Sequence, residues 1–578
     1  MSTHARPLAV WLAAAPDAQL AALFEARGVR EDAPWADFFD AAEALLDTGS
    51  IERMLPRLTL AEARALRGAV DGEDPGTEAS ALLALGLLRP DGTPQPPVAD
   101  VVAARELPAE DDLTDPLPAD ERSEARAAER AFTSVGAIAD LVLLAAETPL
   151  SLLTGGNLAA GEKRRIAEAG TPAEILDDLV AIAVAAGILA TGDRKLRQTA
   201  AGEAWLRLAA SDRWTALAEA FRASLPRGLR TEDGGWLPLS RWPRQHPWDP
   251  AWGERCAAIR TRATLLGLVT ADGTEPQWAV PLRLGQRADA TGLERMLPTE
   301  VDKIFLQNDL TAIAPGPLKP ALDVRLRGIA ARESAAQASS YRFTAESIAH
   351  ALTTGETAAS VLDFLGEISL TGIPQPLEYL VMQTAQRHGL VRVFTDWSGG
   401  TRVSSADATL LDAMGVDQSL RPLALSRDAE GLSSRVGRDT VFWTLTDARY
   451  PAMIVGADGQ PLVVDRNPVP ATEPPAAHDY SALIARLRAQ QGPDADAAWL
   501  DRELEAAVRA KAVLHVEILM PDGSTRELQL EASGLGGGRL RGRDRAADVE
   551  RTLPVRSIQS ARVIAPSTSS GTDTGGDR

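Results

Sequence analysis

Two short clusters of basic side chains are the residues in this sequence whose chemistry is easiest to name. Lysine and arginine cations hold phosphate groups through charge-assisted hydrogen bonds, and such contacts weaken steeply as salt is added. We therefore expect the clusters to bind the backbone of DNA with modest, salt-sensitive affinity. A basic face that only meets solvent is the alternative interpretation. The six residues are Lys163, Arg164, Arg165, Arg194, Lys195 and Arg197.

The first cluster overlaps a stretch that is similar to a nucleotide-binding loop. Residues 156–164 contain Gly-x-x-x-x-Gly, but Lys163 stands one place too late and Glu162 would repel a phosphate. No Ser or Thr follows to bind magnesium. The glycine run at 534–538 has no helix after it to receive a phosphate. We expect neither stretch to bind a nucleotide, and we expect no cofactor.

The residue types that most often carry out catalysis or bind metals, cysteine and histidine, are scarce. Cys256 is the single cysteine, which excludes an internal disulfide and a thiolate zinc cluster. The six histidines are all more than five residues apart, and the sequence has neither His-Glu-x-x-His nor Gly-x-Ser-x-Gly. We therefore expect a protein that is not an enzyme and that binds no metal.

The elements that position the second cluster belong to a phrase that recurs along the chain. The phrase is an apolar helix, a glycine, a short strand and a tight turn, and it occurs near residues 82–92, 181–193, 265–273 and 388–400. With a return strand after the turn, this order is typical of the last helix and the wing of a winged-helix module. We therefore predict winged-helix-like modules in the N-terminal half.

The second copy of the phrase is the most complete. Helices are predicted at 138–146, at 160–169 and up to Ala186, and residues 194–197 would lie on the wing. The turns of the first and third copies carry no basic residue. If one module touches DNA, it should therefore be the second. Winged helices also dock other proteins, and this alternative stays open.

The overall charge limits how the protein can meet nucleic acid. The 578 residues carry 60 basic and 80 acidic side chains, and the net charge is −20. Residues 1–130 alone hold 25 acidic and 12 basic side chains. A surface this acidic does not coat nucleic acid as a whole. No apolar run approaches the roughly 20 residues that cross a membrane. Together with the single cysteine, these features predict a cytoplasmic protein.

The patterns along the chain predict an α+β protein that is mostly α. Five tryptophans in or beside a proline-containing segment are expected to pack on their neighbours, with stacking on single-stranded bases as the alternative. They are Trp214, Trp236, Trp242, Trp248 and Trp252.

The predicted units are a helical, winged-helix-like region at 1–105, an acidic linker at 106–130, a winged helix at 131–225, a Trp-rich segment with a third winged-helix-like unit at 226–298, an α+β domain at 299–465, a Pro-rich linker at 466–478, helices at 479–511, a small β-barrel at 512–564 and a disordered tail at 565–578.

Several phrases in the α+β domain carry a family resemblance. Residues 305–311 with 314–318, then 341–344 and 373–380, are similar to the N-terminal domain of XPB-type DNA repair helicases, as found in actinobacterial helicase-associated proteins. The resemblance implies a domain that accompanies a DNA motor. The motor itself is absent, so unwinding and ATP hydrolysis are not implied. The C-terminal barrel resembles the small SH3-like barrel of WYL-type regulators, although the Trp-Tyr-Leu motif is missing.

These observations lead to two functional hypotheses. The first is a non-catalytic, helicase-associated DNA-binding accessory protein that acts in DNA repair or transcription beside a separate helicase. The second is a protein-interaction scaffold or ligand-responsive transcriptional regulator, in which the winged helices dock proteins and the barrel binds an effector. A salt series of DNA binding separates them, because phosphate contacts give a steep dependence on salt.

Overall fold

Helices and small sheets follow one another along most of the chain and make a mixed α+β protein. The computed structural model describes residues 5–109, 116–168, 170–335, 338–396, 399–464, 466–467, 478–491, 495–520 and 522–564. The predicted tail at 565–578 and most of the predicted Pro-rich linker at 466–478 lie outside the described residues.

The N-terminal region is helical, and some of its helices begin after a residue whose side chain caps the first turn. Asp37 accepts hydrogen bonds from the amides of Phe39 and Asp40. Thr59 and Glu62 form a capping box. The apolar sides of these helices share one buried core. The helices are α1 (Ala5–Ala14), α2 (Asp17–Arg27), α3 (Phe38–Leu46), α4 (Thr48–Met54), α5 (Leu60–Val70), α6 (Ala79–Ala84) and α7 (Pro96–Ala103).

The acidic linker predicted at 106–130 is wrong in its last part, because the chain is helical over Glu121–Glu147. Asp120 caps this helix by accepting a hydrogen bond from the Ser123 amide at 2.7 Å. Acidic residues in the first turn are favoured by the helix dipole, so the charges that indicated a linker stabilise a helix start. This helix, α8, also contains the helix predicted at 138–146.

A three-stranded antiparallel sheet and several helices follow α8. The strands pair in the order β1-β3-β2. One apolar core extends from Ala127 to Leu293, so the regions predicted as separate units at 131–225 and 226–298 pack on each other. The elements are β1 (Leu150–Ser151), α9 (Ala160–Glu168), α10 (Leu176–Ala185), β2 (Leu189–Gly192), β3 (Lys195–Gln198), α11 (Ala200–Trp205), α12 (Ala210–Ser224), α13 (Trp252–Leu265), α14 (Ala279–Arg283) and α15 (Thr291–Glu294).

After the first and third tight turns the chain enters a helix and not the expected return strand. In the first copy a single bridge joins Leu88 to Pro94, and α7 begins at Pro96. In the third copy, α14 begins at Ala279. Proline suits the first turn of a helix but cannot donate to a strand ladder, which explains the first case. The second copy has both hairpin strands, β2 and β3.

The predicted α+β domain at 299–465 contains two sheets, each beside its own apolar core. The first sheet is antiparallel, and in the second only β12 runs parallel to its neighbour β8. The apolar residues at 423–425 form no strand, because Pro422 lies in a 3-10 turn and Ala424 has a φ of 46°. The elements are β4 (Phe305–Leu306), β5 (Thr311–Ala314), α16 (Pro320–Arg327), β6 (Ala331–Ala335), β7 (Ser339–Arg342), α17 (Ala345–Thr353), α18 (Ala358–Ile368), α19 (Gln375–Arg387), β8 (Val391–Thr395), β9 (Thr401–Ser405), α20 (Ala408–Val416), β10 (Ser426–Asp428), β11 (Gly431–Ser434), α21 (Arg438–Asp447) and β12 (Ala452–Ile454).

The barrel predicted at 512–564 is an open antiparallel sheet within the described residues. Its strands pair in the order β16-β15-β14-β13-β17, so β16 and β17 form the two edges and do not close the sheet. Leu500 and Leu504 of the preceding helix pack on the apolar face, which is covered without a closed barrel. The elements are α22 (Ser481–Ala489), α23 (Ala495–Ala510), β13 (Val513–Leu519), β14 (Thr525–Gly536), β15 (Arg539–Asp544), β16 (Val549–Pro554) and β17 (Ile558–Ile564).

The helices α22 and α23 complete the N-terminal core, although they are far along the chain. Leu483, Leu487 and Trp499 belong to that core. Arg488 donates to the backbone carbonyls of Ala13 and Ala15. The helices predicted as a separate unit at 479–511 therefore pack on the first two helices. No helix in the described ranges combines the length and apolar character needed to cross a membrane.

Candidate nucleic-acid interface

The first predicted basic cluster lies on α9, where acidic neighbours hold two of its three cations. Lys163 Nζ lies 2.5 Å from Asp177 Oδ2. Arg165 Nη2 lies 2.9 Å from Glu162 Oε2. Arg164 is exposed and has no ion-pair partner within the described ranges. Partly exposed pairs of this kind are worth about 1 kcal/mol or less, so a phosphate competes with them at little cost.

The second predicted cluster lies on the hairpin of β2 and β3. Asp193 and Arg194 form its two-residue turn with φ values of 51° and 56°. Positive φ at both positions defines the turn that matches the twist of paired strands. Arg194 is exposed at the tip, and Arg197 Nη1 donates to the Gly192 carbonyl at 3.1 Å. The hairpin therefore presents two arginines at one end.

Ser151 in β1 connects the two clusters. Its amide donates to Glu162 Oε1 at 3.2 Å, and its hydroxyl accepts from Lys195 Nζ at 2.9 Å. Because Glu162 belongs to α9 and Lys195 to β3, the structure brings the two clusters onto neighbouring elements. Asp177 and Asp193 also lie among the six basic residues. Only part of the positive charge of these six residues is therefore available to a phosphate.

The helix α10 has no surface suited to reading base edges. It packs against α8, α12 and α13, and it contains no Lys or Arg. Its acidic side chains are engaged, since Asp178 Oδ1 accepts from Arg262 Nε at 2.9 Å. A recognition helix needs exposed groups that bond to bases in the major groove. Contacts made here would therefore be confined to phosphates, which carry no sequence information.

The tryptophans of the Trp-rich segment pack inward, which confirms the predicted packing role. Trp214 Nε1 donates to the Leu266 carbonyl at 2.8 Å, and Trp248 Nε1 donates to the Glu106 carbonyl at 2.9 Å. Each of the five indoles is at most 6% exposed, so none offers a face to a nucleic-acid base. The five are Trp214, Trp236, Trp242, Trp248 and Trp252.

A further group of arginines was missed by the sequence reasoning. Arg122, Arg126 and Arg130 are four residues apart on α8, so they form a stripe along one side of the helix. Arg130 and Arg260 of α13 line an open cleft between the two helices. The four-residue spacing is visible in the sequence. It places the three arginines on one side only if the segment is a helix, and this segment was predicted to be a linker.

A cluster of charges joins α8 to the region at 299–465. Arg327 Nη1 donates to Asp140 Oδ1 at 2.6 Å, and Arg332 donates to the other oxygen of Asp140. The Tyr341 hydroxyl donates to Asp323 Oδ1 at 2.6 Å. Burial, with the Asp323 charge beside it, raises the pKa of the Tyr341 hydroxyl, which therefore stays protonated and remains a donor.

Arg213 lies beside this charge cluster and is almost fully buried. Burial lowers the pKa of the Arg213 guanidinium to about 10, while the Asp323 and Glu300 charges oppose that shift. The side chain is therefore still charged at neutral pH. It donates to the backbone carbonyls of Trp205 and Leu206, so its charge is held by hydrogen bonds inside the protein.

Residues that could bind a metal do not converge in the described part of the chain. No group of three or more His, Cys, Asp or Glu side chains there is placed to hold a metal ion. Cys256 is buried, and burial raises the pKa of its thiol, which disfavours the reactive thiolate.

The comparison with known families bears on the region of the two central sheets. Residues 304–429 match the family model for the helicase conserved C-terminal domain. The match covers 126 of the 578 residues, from the residue before β4 to the turn after β10. No curated protein matches the chain. The likenesses to XPB-type N-terminal domains and to WYL-type regulators stay predictions. The chain therefore carries a helicase-related domain at 304–429.

Proposed function

We propose that this chain is a non-catalytic, helicase-associated accessory protein that binds the DNA backbone. It acts in DNA repair or transcription in the cytoplasm, beside a separate helicase. A winged-helix unit at 131–225 makes the contact. Arg194, Lys195 and Arg197 hold phosphates from the hairpin, and Lys163, Arg164 and Arg165 support them from α9.

One structural relationship carries this proposal. The helix α8 packs against β3 of the basic hairpin, and the same helix holds Arg327 and Arg332 of the region at 299–465 through Asp140. DNA bound at the hairpin is therefore held on the same helix as the helicase-related domain. Such an arrangement suits a protein that presents DNA to a helicase or holds it beside one.

The surroundings of Lys163 support a role without ATP hydrolysis. A phosphate loop needs a lysine directed at the nucleotide and a hydroxyl for magnesium. Here the Lys163 ammonium is paired with Asp177, and Arg164 stands where the loop would need Ser or Thr. The proposal therefore assigns the motor activity to a partner protein.

The test is a titration of duplex DNA with the full chain at several salt concentrations, followed by fluorescence anisotropy. Replacing Arg194, Lys195 and Arg197 together by Ala should weaken binding to all sequences alike. The slope of log affinity against log salt should become shallower by about 3, because about one counterion is released for each phosphate contact.

The matched control replaces three exposed arginines outside the hairpin by Ala, namely Arg207, Arg421 and Arg427. It changes the net charge equally, so it reports the long-range effect of charge alone. Equal binding by the hairpin variant and this control would remove the hairpin from the interface.

The helix α10 favours the second candidate function, a protein-interaction scaffold or ligand-responsive regulator. A buried helix without Lys or Arg cannot contact base edges in the major groove. The basic hairpin beside it can still bind an acidic protein surface. The salt series decides between the two functions. DNA affinity that is negligible at about 50 mM salt, where phosphate contacts are strong, favours the scaffold.

A further inference from the structure

A cleft between α8 and α13 is lined by two arginines, one from each helix. It is open to solvent and has a volume of about 430 Å³. Arg130 stands on one wall, Arg260 on the other, and Thr261 and Thr264 lie beside Arg260. Ala257, Leu265 and Ala271 complete the lining.

The two arginines of this cleft are available to an external ligand. In the ranges that the structure describes, neither the Arg130 nor the Arg260 guanidinium lies within ion-pair distance of a carboxylate. Glu129 is exposed on the neighbouring side of α8. Asp272 comes just after the cleft residue Ala271, and Thr270 and Thr274 hydrogen-bond its carboxylate. A guanidinium offers several donors in one plane, a geometry that matches the oxygens of a phosphate.

The Arg260 guanidinium lies beside the turn that contains Gly273. A side chain at Gly273 would place its Cβ 3.5 Å from Arg260 Nη2, so the guanidinium lies over the bare backbone of that turn. Gly273 has a φ of 87°, a conformation that favours glycine.

The arginines on α8 extend this positive charge beyond the cleft. Arg126 and Arg122 are exposed one and two turns before Arg130 on the same side of the helix. At 1.5 Å of rise per residue, successive members of the stripe are about 6 Å apart. A compact anion would touch only one end of such a row, whereas a chain of phosphates can follow it.

We propose that the cleft between α8 and α13 binds phosphate groups of a nucleic-acid strand. Arg130 and Arg260 hold one phosphate between them, and Arg126 and Arg122 hold the following ones along α8. This inference rests on the proposed function, because it adds a second backbone contact to a protein that binds DNA. It also explains how a chain with a net charge of −20 keeps a locally basic path for the strand.

The experiment compares the full chain with the double variant Arg130→Gln/Arg260→Gln. The control is Arg207→Gln/Arg421→Gln, which removes the same charge from exposed positions elsewhere. Single-stranded and duplex DNA are titrated separately. The cleft variant should bind about tenfold more weakly near 100 mM salt, and its salt slope should be shallower by about 2. Circular dichroism and the melting temperature show that both variants fold.

A titration with inorganic pyrophosphate distinguishes a strand from a small phosphate compound. Loss of pyrophosphate binding in the cleft variant with unchanged DNA binding would assign the cleft to a small anion and overturn the proposal. Equal DNA binding by the cleft variant and its control would also overturn the proposal. If only the hairpin variant loses DNA binding, the proposed function stands although the cleft proposal fails. If the unaltered chain binds no DNA, the proposed function fails and the nucleic-acid assignment of the cleft fails with it.

Discussion

The carboxylate of Asp140 and the guanidinium of Arg327 lie 2.6 Å apart although 187 residues separate them in the chain. Arg332 binds the second oxygen of the same carboxylate. Asp140 lies in α8, whose apolar residues belong to the core that extends from Ala127 to Leu293, so this contact joins the helicase-related domain to that part of the chain. Because each of these side chains keeps only about a fifth of its surface exposed, the pairs are well shielded from solvent.

Replacing Asp140 should destabilise the protein. Asp140→Asn leaves two arginines close together without the carboxylate that neutralises them. The free energy of unfolding should fall by about 1–3 kcal/mol, between the values for exposed and buried pairs. Chemical denaturation measures this loss. Glu203→Gln, which breaks an exposed pair with Arg207, is the control and should change stability by about 0.5 kcal/mol or less. Equal effects of the two variants would contradict the structural role of Asp140.

Gly267 should not tolerate a side chain. Its φ is 63°, and a Cβ there would lie 2.6 Å from the Ala127 carbonyl oxygen of α8. Gly267→Ala should therefore lower the free energy of unfolding by about 2 kcal/mol or more. Gly253→Ala is the matched control, because that glycine lies in α13 with open space around it, and it should leave stability unchanged or slightly raised. A neutral Gly267→Ala would mean that α8 and the turn after α13 are not packed this closely.

Stability should fall in mild acid because of His246. Its Nδ1 donates to the Leu58 carbonyl at 3.0 Å, and its buried Nε2 has no hydrogen-bond partner within the described ranges. Burial lowers the pKa of His246 below its ordinary value of 6.5. The unfolded chain therefore takes up a proton first. The contribution of the neutral His246 side chain to the free energy of unfolding is complete above about pH 6.5. It is lost as the pH falls toward the folded-state pKa of His246.

Melting temperatures at pH 7.5 and pH 5.5 test this pH dependence. The melting temperature should be lower at pH 5.5, and His246→Gln should reduce the difference. Part of the difference should remain, because burial also lowers the pKa of His388, which acts in the same direction. An unchanged difference in the variant would exclude His246 as the group responsible.

The purified full chain should hydrolyse no ATP, with or without DNA. The reason is that Lys163 is paired with Asp177 and that no hydroxyl follows it to bind magnesium. Release of inorganic phosphate measures the rate. A DNA-stimulated rate that Lys163→Ala abolishes would show that the chain is itself an ATPase.

Much of the local structure was predictable from short patterns. Threonine is a residue type that favours a helix start, and Thr344 accepts a hydrogen bond from the Ser347 amide at 3.1 Å at the start of α17. Residues 513–518 show the alternation that is typical of a strand, and they lie in β13. Helix caps and strand periodicity depend on residues a few positions apart, so the sequence by itself determined these elements.

Sequence patterns were less reliable where two local signals competed. The acidic run before residue 130 indicated a linker, but the cap at Asp120 and the apolar face of α8 make the segment from Glu121 helical. The apolar strands at 512–564 indicated a barrel, but α23 covers their inner face and the edges stay open. In the first case a local cap and the packing of the apolar face decide the outcome, and in the second case the packing of α23 decides it.

The sequence determined which residues carry positive charge, and for Arg194, Lys195 and Arg197 it also indicated the hairpin that holds them. The tertiary structure decided which of these charges are available. It pairs Lys163 with Asp177, leaves Arg164 exposed, and assembles a cleft from Arg130 and Arg260, which the sequence keeps 130 positions apart. The physical reason is that periodicity is set by neighbours along the chain, whereas ion pairing and burial are set by neighbours in space.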